Sequence, residues 1–266
     1  MNELQFRAAA AAGYDQLMVR ATGELVPALL RAARLSTGQH VLDIACGTGF
    51  AAAAAVCVVG PSGHVVAADI SPAMLEKARE RLGSLTNVTF EIEDGQALTF
   101  RAESFDRVIC NMGLMYFPDP ARGLKEFLRV LCAGGHAAVT VSARPSRTLY
   151  NRVLTIIEQH APGKRSRSGP ALFNGSEQNL RALLEAAGFE DVQTVVEIRR
   201  FEFPSFDAYF TSIEHGAGHS GQEYTELPPE AQRVVREAVR RDVGDTGGPI
   251  EIELETTLAS GKRAAK

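Results

Sequence analysis

VLDIACGTGF (Val41–Phe50) is the stretch whose reading decides the fold. An apolar run carries Asp43, breaks into a small-residue turn around Gly47 and Gly49, and leads into the Ala-rich FAAAAAVCVV. The run reads as a buried strand and the Ala-rich piece as a helix. Glycine lets a backbone approach a ligand without a Cβ, and the first N–H groups of a helix have no intrahelical partner. Such a turn takes an anion, whether a pyrophosphate or the carboxylate of an amino acid.

The same alternation continues outward. GHVVAADI is a second strand, followed by the helix SPAMLEKARERL, with Ser71 as N-cap and Pro72 at the first helical position. NVTFEIE and FDRVICN are the third and fourth strands. DPARGLKEFLRVL is a helix that Gly134-Gly135 closes, and HAAVTVSA is the fifth strand. Continuous apolar strands alternating with helices imply a parallel sheet covered on both faces by right-handed crossovers. Residues 3 to 35 read as helical, with Pro27 tolerable in a first turn.

Beyond residue 144 the rhythm breaks. RPSRTLYNRVLTIIEQHAP reads as a helix, and GKRSRSGPA as a basic loop holding Lys164, Arg165 and Arg167. SEQNLRALLEAAGF is a capped helix and DVQTVVEIRRFEF a long strand. Residues 204–249 hold two helix-like stretches around the soft segment HGAGHSGQE, and PIEIELETTLASGK ends the chain as a strand, so this end of the sheet is expected to be antiparallel.

The 266 residues are 45% hydrophobic and 23% charged, enough for a sizeable core in one α/β domain with inserts. A formal net charge of −4 gives no general affinity for nucleic acid or acidic membranes. Cys46, Cys57, Cys110 and Cys132 lie far apart in apolar or small-residue runs, which fits a reducing compartment and neither a disulfide framework nor a zinc site. The N-terminus lacks a basic n-region, and no run reaches the ~18 apolar residues of a membrane span. A soluble, cytoplasmic protein is expected.

Ligands of doubly wound sheets sit at the C-terminal ends of the strands, where strand order reverses. Asp69 ends the second strand twenty residues after Gly49, the spacing at which a carboxylate accepts both ribose hydroxyls; capping of the next helix is the competing reading. G-T-G-F-A-A also satisfies the loose dinucleotide pattern, so these two features leave a nicotinamide cofactor open. Three others tilt away from it. Asp43, four residues before Gly47, would repel a pyrophosphate and welcome an ammonium. The third strand runs into Glu93-Asp94-Gly95, putting a carboxylate where an adenine amino group can donate. No tyrosine is followed by a lysine four residues later, so one common nicotinamide-enzyme pair is missing.

D-I-A-C-G-T-G resembles motif I of class I S-adenosylmethionine-dependent methyltransferases, with Ala45 in place of the first glycine of D-x-G-x-G-x-G. Asp69 matches the ribose-binding acid and Asp94 the adenine-binding acid. N-M-G-L-M-Y-F-P-D (Asn111–Asp119) resembles the loop after the fourth strand, and L-C-A-G-G-H the segment before the fifth. The likeness covers roughly residues 38 to 144 and is nearest in style to the small-molecule enzymes of the ubiquinone/menaquinone-biosynthesis type. It implies an α/β, Rossmann-like doubly wound sheet of about seven strands, the last antiparallel, with N-terminal helices and helical lid inserts. It also implies S-adenosyl-L-methionine as cofactor, S-adenosyl-L-homocysteine as product and a small-molecule acceptor.

The expected cofactor residues are Tyr14, Asp43, Ala45, Gly47, Gly49, Asp69, Ile70, Met74, Asp94, Gly95 and Asn111. Tyr14 would cap the cofactor from the N-terminal helix, while Ile70 and Met74 would sandwich the adenine or simply belong to the core. Methyl transfer is an in-line displacement in which the protein supplies proximity and alignment. A general base is needed only for some nucleophiles, and the candidates are Tyr116, His160, Glu214, His215 and His219. Expected domain organisation is a single unit: an N-terminal helical lid (1–37), the cofactor-binding core (38–144), lid inserts (145–172 and 204–249) and the rest of the sheet (173–203 and 250–261). No metal, nucleic acid or membrane insertion is expected, and a homodimer is compatible with the sequence. Two competing functions remain, a nicotinamide-dependent oxidoreductase and a non-catalytic module that binds S-adenosylmethionine.

Overall fold

The computed structural model describes residues 23–143, 149–160, 173–216 and 218–265. Five parallel strands come first: β1 (His40–Ile44), β2 (His64–Asp69), β3 (Val88–Ile92), β4 (Phe105–Asn111) and β5 (Leu131–Ser142). β6 (Glu190–Phe203) and β7 (Ile250–Lys262) complete a seven-stranded sheet of order β3-β2-β1-β4-β5-β7-β6, with β7 antiparallel to both β5 and β6. The doubly wound architecture and its antiparallel last strand are as the sequence implies. Strand order reverses between β1 and β4, which opens the ligand crevice at the carboxyl ends of these strands.

α1 (Val26–Ala32) and α2 (Phe50–Val59) pack with the strands through a core that includes Leu29, Val41, Ala52, Ala55 and Val65. Small side chains bring α2 close to the sheet, and Gly49 takes this further: a Cβ there would lie 3.0 Å from that of Ala78 on α3 (Pro72–Leu82). Ser71 caps α3 by accepting from the Met74 amide at 3.4 Å. On the other face α4 (Pro120–Val130), capped by Asp119, presents Leu124 and Phe127 to a core that also takes in α6 (Glu177–Ala187) through Leu180 and Leu184.

A third core lies in the C-terminal part. α5 (Leu149–His160), α7 (Phe206–Glu214), α8 (Gly218–Thr225) and α9 (Pro229–Asp242) bury Val153, Phe206, Phe210, Tyr224, Val235 and Val239 around one another. The stacked rings of Phe206 and Phe210 lie 5.1 Å apart, and Arg236 and Arg240 sit over Phe206.

Three details differ from the sequence reading. Gly134-Gly135 does not close α4. The helix stops at Val130, Leu131 is already extended, and both glycines lie inside β5. Gly134 adopts φ +74 at the irregularity between Phe105 and Arg107, and its amide meets the carbonyl of Arg263 at 3.1 Å, so these glycines serve a strand irregularity. Residues 204–249 form three helices, because part of the soft segment becomes α8 once Tyr224 has a core to enter. Of residues 3 to 35 only those from 23 on are described, and there the helix is interrupted by a turn at Glu24-Leu25 before Val26–Ala32.

Candidate functional site

The turn after β1 is built around Gly47 and Gly49, both in the left-handed region at φ +56 and +82. A Cβ at Gly47 would meet nothing within 4 Å, because this backbone faces an open cleft. The cleft, about 800 Å³ and open to solvent, runs along the ends of β1, β2, β3 and β4. Ala45, Gly47, Asp69, Ile70, Met74, Asp94, Gly95 and Asn111 all line it, so eight of the expected cofactor residues share one wall system. Gly49 stands just behind, at the N-terminus of α2. Tyr14 lies outside the described residues.

Ala45 takes φ +55, a conformation natural to the glycine it replaces and costing an alanine roughly 1–2 kcal/mol. Its Cβ occupies the place that a side chain at Gly113 would need: a Cβ there would stand 2.5 Å from it. Glycine at 113 thus compensates for alanine at 45.

Asp69 is almost fully buried at the end of β2. One oxygen accepts from the Gly47 amide at 2.8 Å and the other from the Ser71 amide at 2.8 Å. Burial raises its pKa, and these amides pull it back. The carboxylate therefore ties the glycine turn to the start of α3, and each oxygen keeps a second lone pair for a ligand hydroxyl. The capping reading is realised together with a place on the cleft wall.

Asp43 does not line the cleft. It is wholly buried on β1, and neither carboxylate oxygen has a well-formed hydrogen bond, although the Ala52 amide offers slight relief. Burial, with the Asp69 charge adding to it, pushes its pKa up to about 8. The same burial and the two carboxylates hold the Cys46 thiol well above its usual range. An unpaired buried carboxylate is costly, and a cation arriving in the cleft relieves that cost.

Asp94 accepts from both the backbone and the side-chain nitrogens of Gln96, at 2.9 and 3.2 Å, while the Gln96 side-chain oxygen accepts from the Asp119 amide at 2.7 Å. Glu93 is turned to structural use, bonded to the Thr99 amide at 3.0 Å and to its hydroxyl. Asn111 Oδ1 accepts from the Thr140 hydroxyl at 2.7 Å, and that hydroxyl oxygen accepts from the Met112 amide at 3.0 Å, holding Met112 at φ +57. Phe117 fills a slot between Gly95 and Gly123, where a Cβ on either would stand 2.3 or 2.5 Å from the ring.

Gln96, Met112, Gly113 and Phe117 join the wall without having been singled out from sequence, and Thr140 positions it from β5. One signal was available. Gly123 sits inside the amphipathic helix α4, where glycine is about 1 kcal/mol worse than alanine, and so marks a close approach.

Of the candidate bases, Tyr116 lines the cleft, half-buried in the 3₁₀ turn Leu114–Tyr116. His160, Glu214 and His215 are exposed and do not line it, and Glu214 is paired with Arg236 at 3.0 Å. The backbone places His219 in α8, and its side chain lies outside the description.

A methyltransferase-domain family model matches residues 41–135, the segment that builds this cleft. The chain is 32% identical over 193 residues to a demethylmenaquinone methyltransferase of Clavibacter sepedonicus, covering 68% of this chain and 75% of that protein. It is 32% identical over 170 residues to the ubiquinone/menaquinone biosynthesis C-methyltransferase UbiE of Cronobacter sakazakii, covering 58% and 68%. A crystal structure of a protein from Bacillus halodurans superposes with a TM-score of 0.62 at 22% identity, over 90% of this chain and 99% of that one, and shares its fold. None of these findings supports the nicotinamide reading. With its glycine turn, its strand-end carboxylates and these relatives, the chain belongs to the class I S-adenosylmethionine-dependent methyltransferases related to the ubiquinone/menaquinone-biosynthesis type.

Proposed function

We propose that this methyltransferase acts on a carbon of a small, electron-rich aromatic acceptor such as a reduced, demethylated quinone. The wall beside the glycine turn carries the reading. It is mainly apolar, with Ile44, Ile70, Met74, Met112 and Phe117, and its described residues include no histidine or lysine. An acceptor that is already acidic, as a phenol is, supplies its own electron-rich carbon with little help from a base. The named activities of the two relatives point the same way.

The observed donors and acceptors fit the cofactor. Asp43, buried without partners, favours the methionine ammonium; Asp69 takes the ribose hydroxyls and Asp94 the adenine amino group. The open backbone of the turn at Ala45, Gly47 and Gly49 leaves room for the methionine carboxylate, while the Gly47 and Gly49 amides keep their own partners, Asp69 and the Cys46 carbonyl. Ile70 and Met74 hold the adenine faces, and Gly95 and Asn111 complete the wall. When bound, the cofactor supplies an electrophilic methyl group on a sulfonium. Alignment of the acceptor falls to Tyr116 and the loop from Met112 to Pro118, and exclusion of water to residues 1–37, 145–172 and 204–249 as a lid over the core of 38–144. The remaining sheet, 173–203 and 250–261, supports that lid within one domain.

A cytoplasmic place fits the four free cysteines, and no described helix is long and apolar enough to cross a membrane. A homodimer belongs to this reading. Incubation with cofactor and a chemically reduced, short-chain demethylated naphthoquinone tests the function. The expected result is a ring-methylated product, its displaced ring proton released to solvent, together with S-adenosylhomocysteine. Cofactor binding without methylation of any quinol or phenol would sink the acceptor class and favour a binding module.

A further inference from the structure

β6 ends the sheet, pairs only with β7 among the described residues, and leaves its other edge as a row of backbone groups. Protein edges are normally blunted by brevity, proline, bulges or charged side chains, and a long edge whose charges are of both signs can still template another strand in a register that pairs them. β6 has 14 residues and no proline. Its register is irregular only between Glu190 and Gln193, and from Gln193 to Phe203 the pairing with β7 is unbroken. Val195 is 46% exposed and Ile198 56%.

We infer that this edge pairs with the same edge of a second copy, antiparallel about a two-fold axis at Ile198, so that the two sheets become one. Residues opposite one another in an antiparallel pair must turn their backbone groups the same way, so a two-fold axis has to pass through a residue facing its own copy. Axes at Glu197, Arg199 or Arg200 would set like charges face to face. Axes at Val195 or Val196 would draw the irregular residues 190–192 into the ladder. An axis at Ile198 uses Gln193 to Phe203, the regular stretch. It sets the exposed isoleucines together, Val195 opposite Phe201, and Glu197 opposite Arg199 twice.

The charges suit that exchange. Arg199 already holds Glu197 at 2.9 Å and Glu24 at 3.8 Å within one chain, and Arg200 is partnered by Glu251 and Glu253, so pairing strands neither arginine. The inference is independent of the acceptor proposed above.

Sedimentation equilibrium on the full chain is the test, with S-adenosylhomocysteine binding as the check that each variant folds. A dimer is expected, and Ile198→Glu should weaken it by about 5-fold, the scale of one misplaced charge pair. Glu197→Arg and Arg199→Glu should each weaken it, and the double swap should restore it. In a Cys57→Ser background, Ile198→Cys should give a disulfide-linked dimer on mild oxidation, since directly opposed antiparallel residues lie within disulfide reach. A monomer at every concentration would overturn the inference. So would a dimer indifferent to Ile198→Glu, or single swaps that weaken it without rescue by the double.

Discussion

The cofactor half and the C-terminal half of this molecule are built on different logics. In the first, four parallel strands end side by side, and a residue at or just past each strand end lines the cleft: Ala45, Asp69, Asp94, Asn111. In the second, helices α5, α7, α8 and α9 gather aromatic rings into their own core, and the charged residues among them pair with one another. Strand ends impose a fixed geometry on ligand groups, whereas a helical cluster needs only apolar volume and a few satisfied charges. The first half therefore tolerates little change, while the second resists mainly the loss of volume.

Replacing Phe210, fully buried in the C-terminal core, by alanine should cost about 3–5 kcal/mol of stability. At a temperature where the variant is folded, S-adenosylhomocysteine affinity should stay within about twofold by calorimetry. A large loss of affinity would show that the two halves are not separable. Asp69→Ala sharpens the contrast from the other side. It strips the Gly47 and Ser71 amides of their acceptor, and affinity should fall roughly 100-fold, a loss on the scale of one or two charged hydrogen bonds.

Gly113→Ala drives a methyl group against the Ala45 Cβ and should destabilise by about 1–3 kcal/mol. Adding Ala45→Gly should recover part of that loss. Recovery should be incomplete, because the Cys110 sulfur would still stand 2.9 Å from the new methyl. Strict additivity in thermal melts would refute the compensation between these two positions.

Asp43 makes a pH prediction. Its pKa, about 8 when folded against an unfolded value near 3.8, means that the folded chain holds the proton more tightly than the unfolded one. Stability of the ligand-free protein should therefore fall as pH rises from about 4 to about 8 and level off above, and Asp43→Asn should flatten that slope. Because an ammonium favours the ionised carboxylate, S-adenosylhomocysteine should bind more tightly from pH 6 to 8 and release a proton on binding at pH 7. Binding enthalpies that do not vary with the buffer's ionisation heat would sink this. Smallest of all, Glu214→Ala breaks an exposed ion pair with Arg236 and should cost less than ~1 kcal/mol, leaving affinity unchanged.

The cofactor half was largely legible because its signals are local. Strand, glycine turn and helix follow one another in sequence, and Asp43, Asp69 and Asp94 sit at or beside strand ends that continuous apolar runs locate. What escaped was relational. Phe117 matters because Gly95 and Gly123, 28 residues apart in sequence, leave it a slot, and Thr140 matters because β5 lies beside β4. In the C-terminal half, His160, Glu214 and His215 look chemically capable in sequence, yet their elements turn them to solvent or to a neighbouring arginine. Segment HGAGHSGQE looks like loop because its helix depends on the core that Tyr224 enters.

By itself the sequence determined the alternating strands and helices, the glycine turn and the carboxylates at the strand ends, since hydrophobic period and backbone freedom act over a few residues. Only the tertiary structure decided that Asp43 is buried with no well-formed hydrogen bond among the described residues and that Ala45 takes the space left by Gly113. The same holds for the edge that β6 leaves unpaired among the described residues. Each of these depends on which distant segments share a boundary, and that is settled by packing of the whole chain.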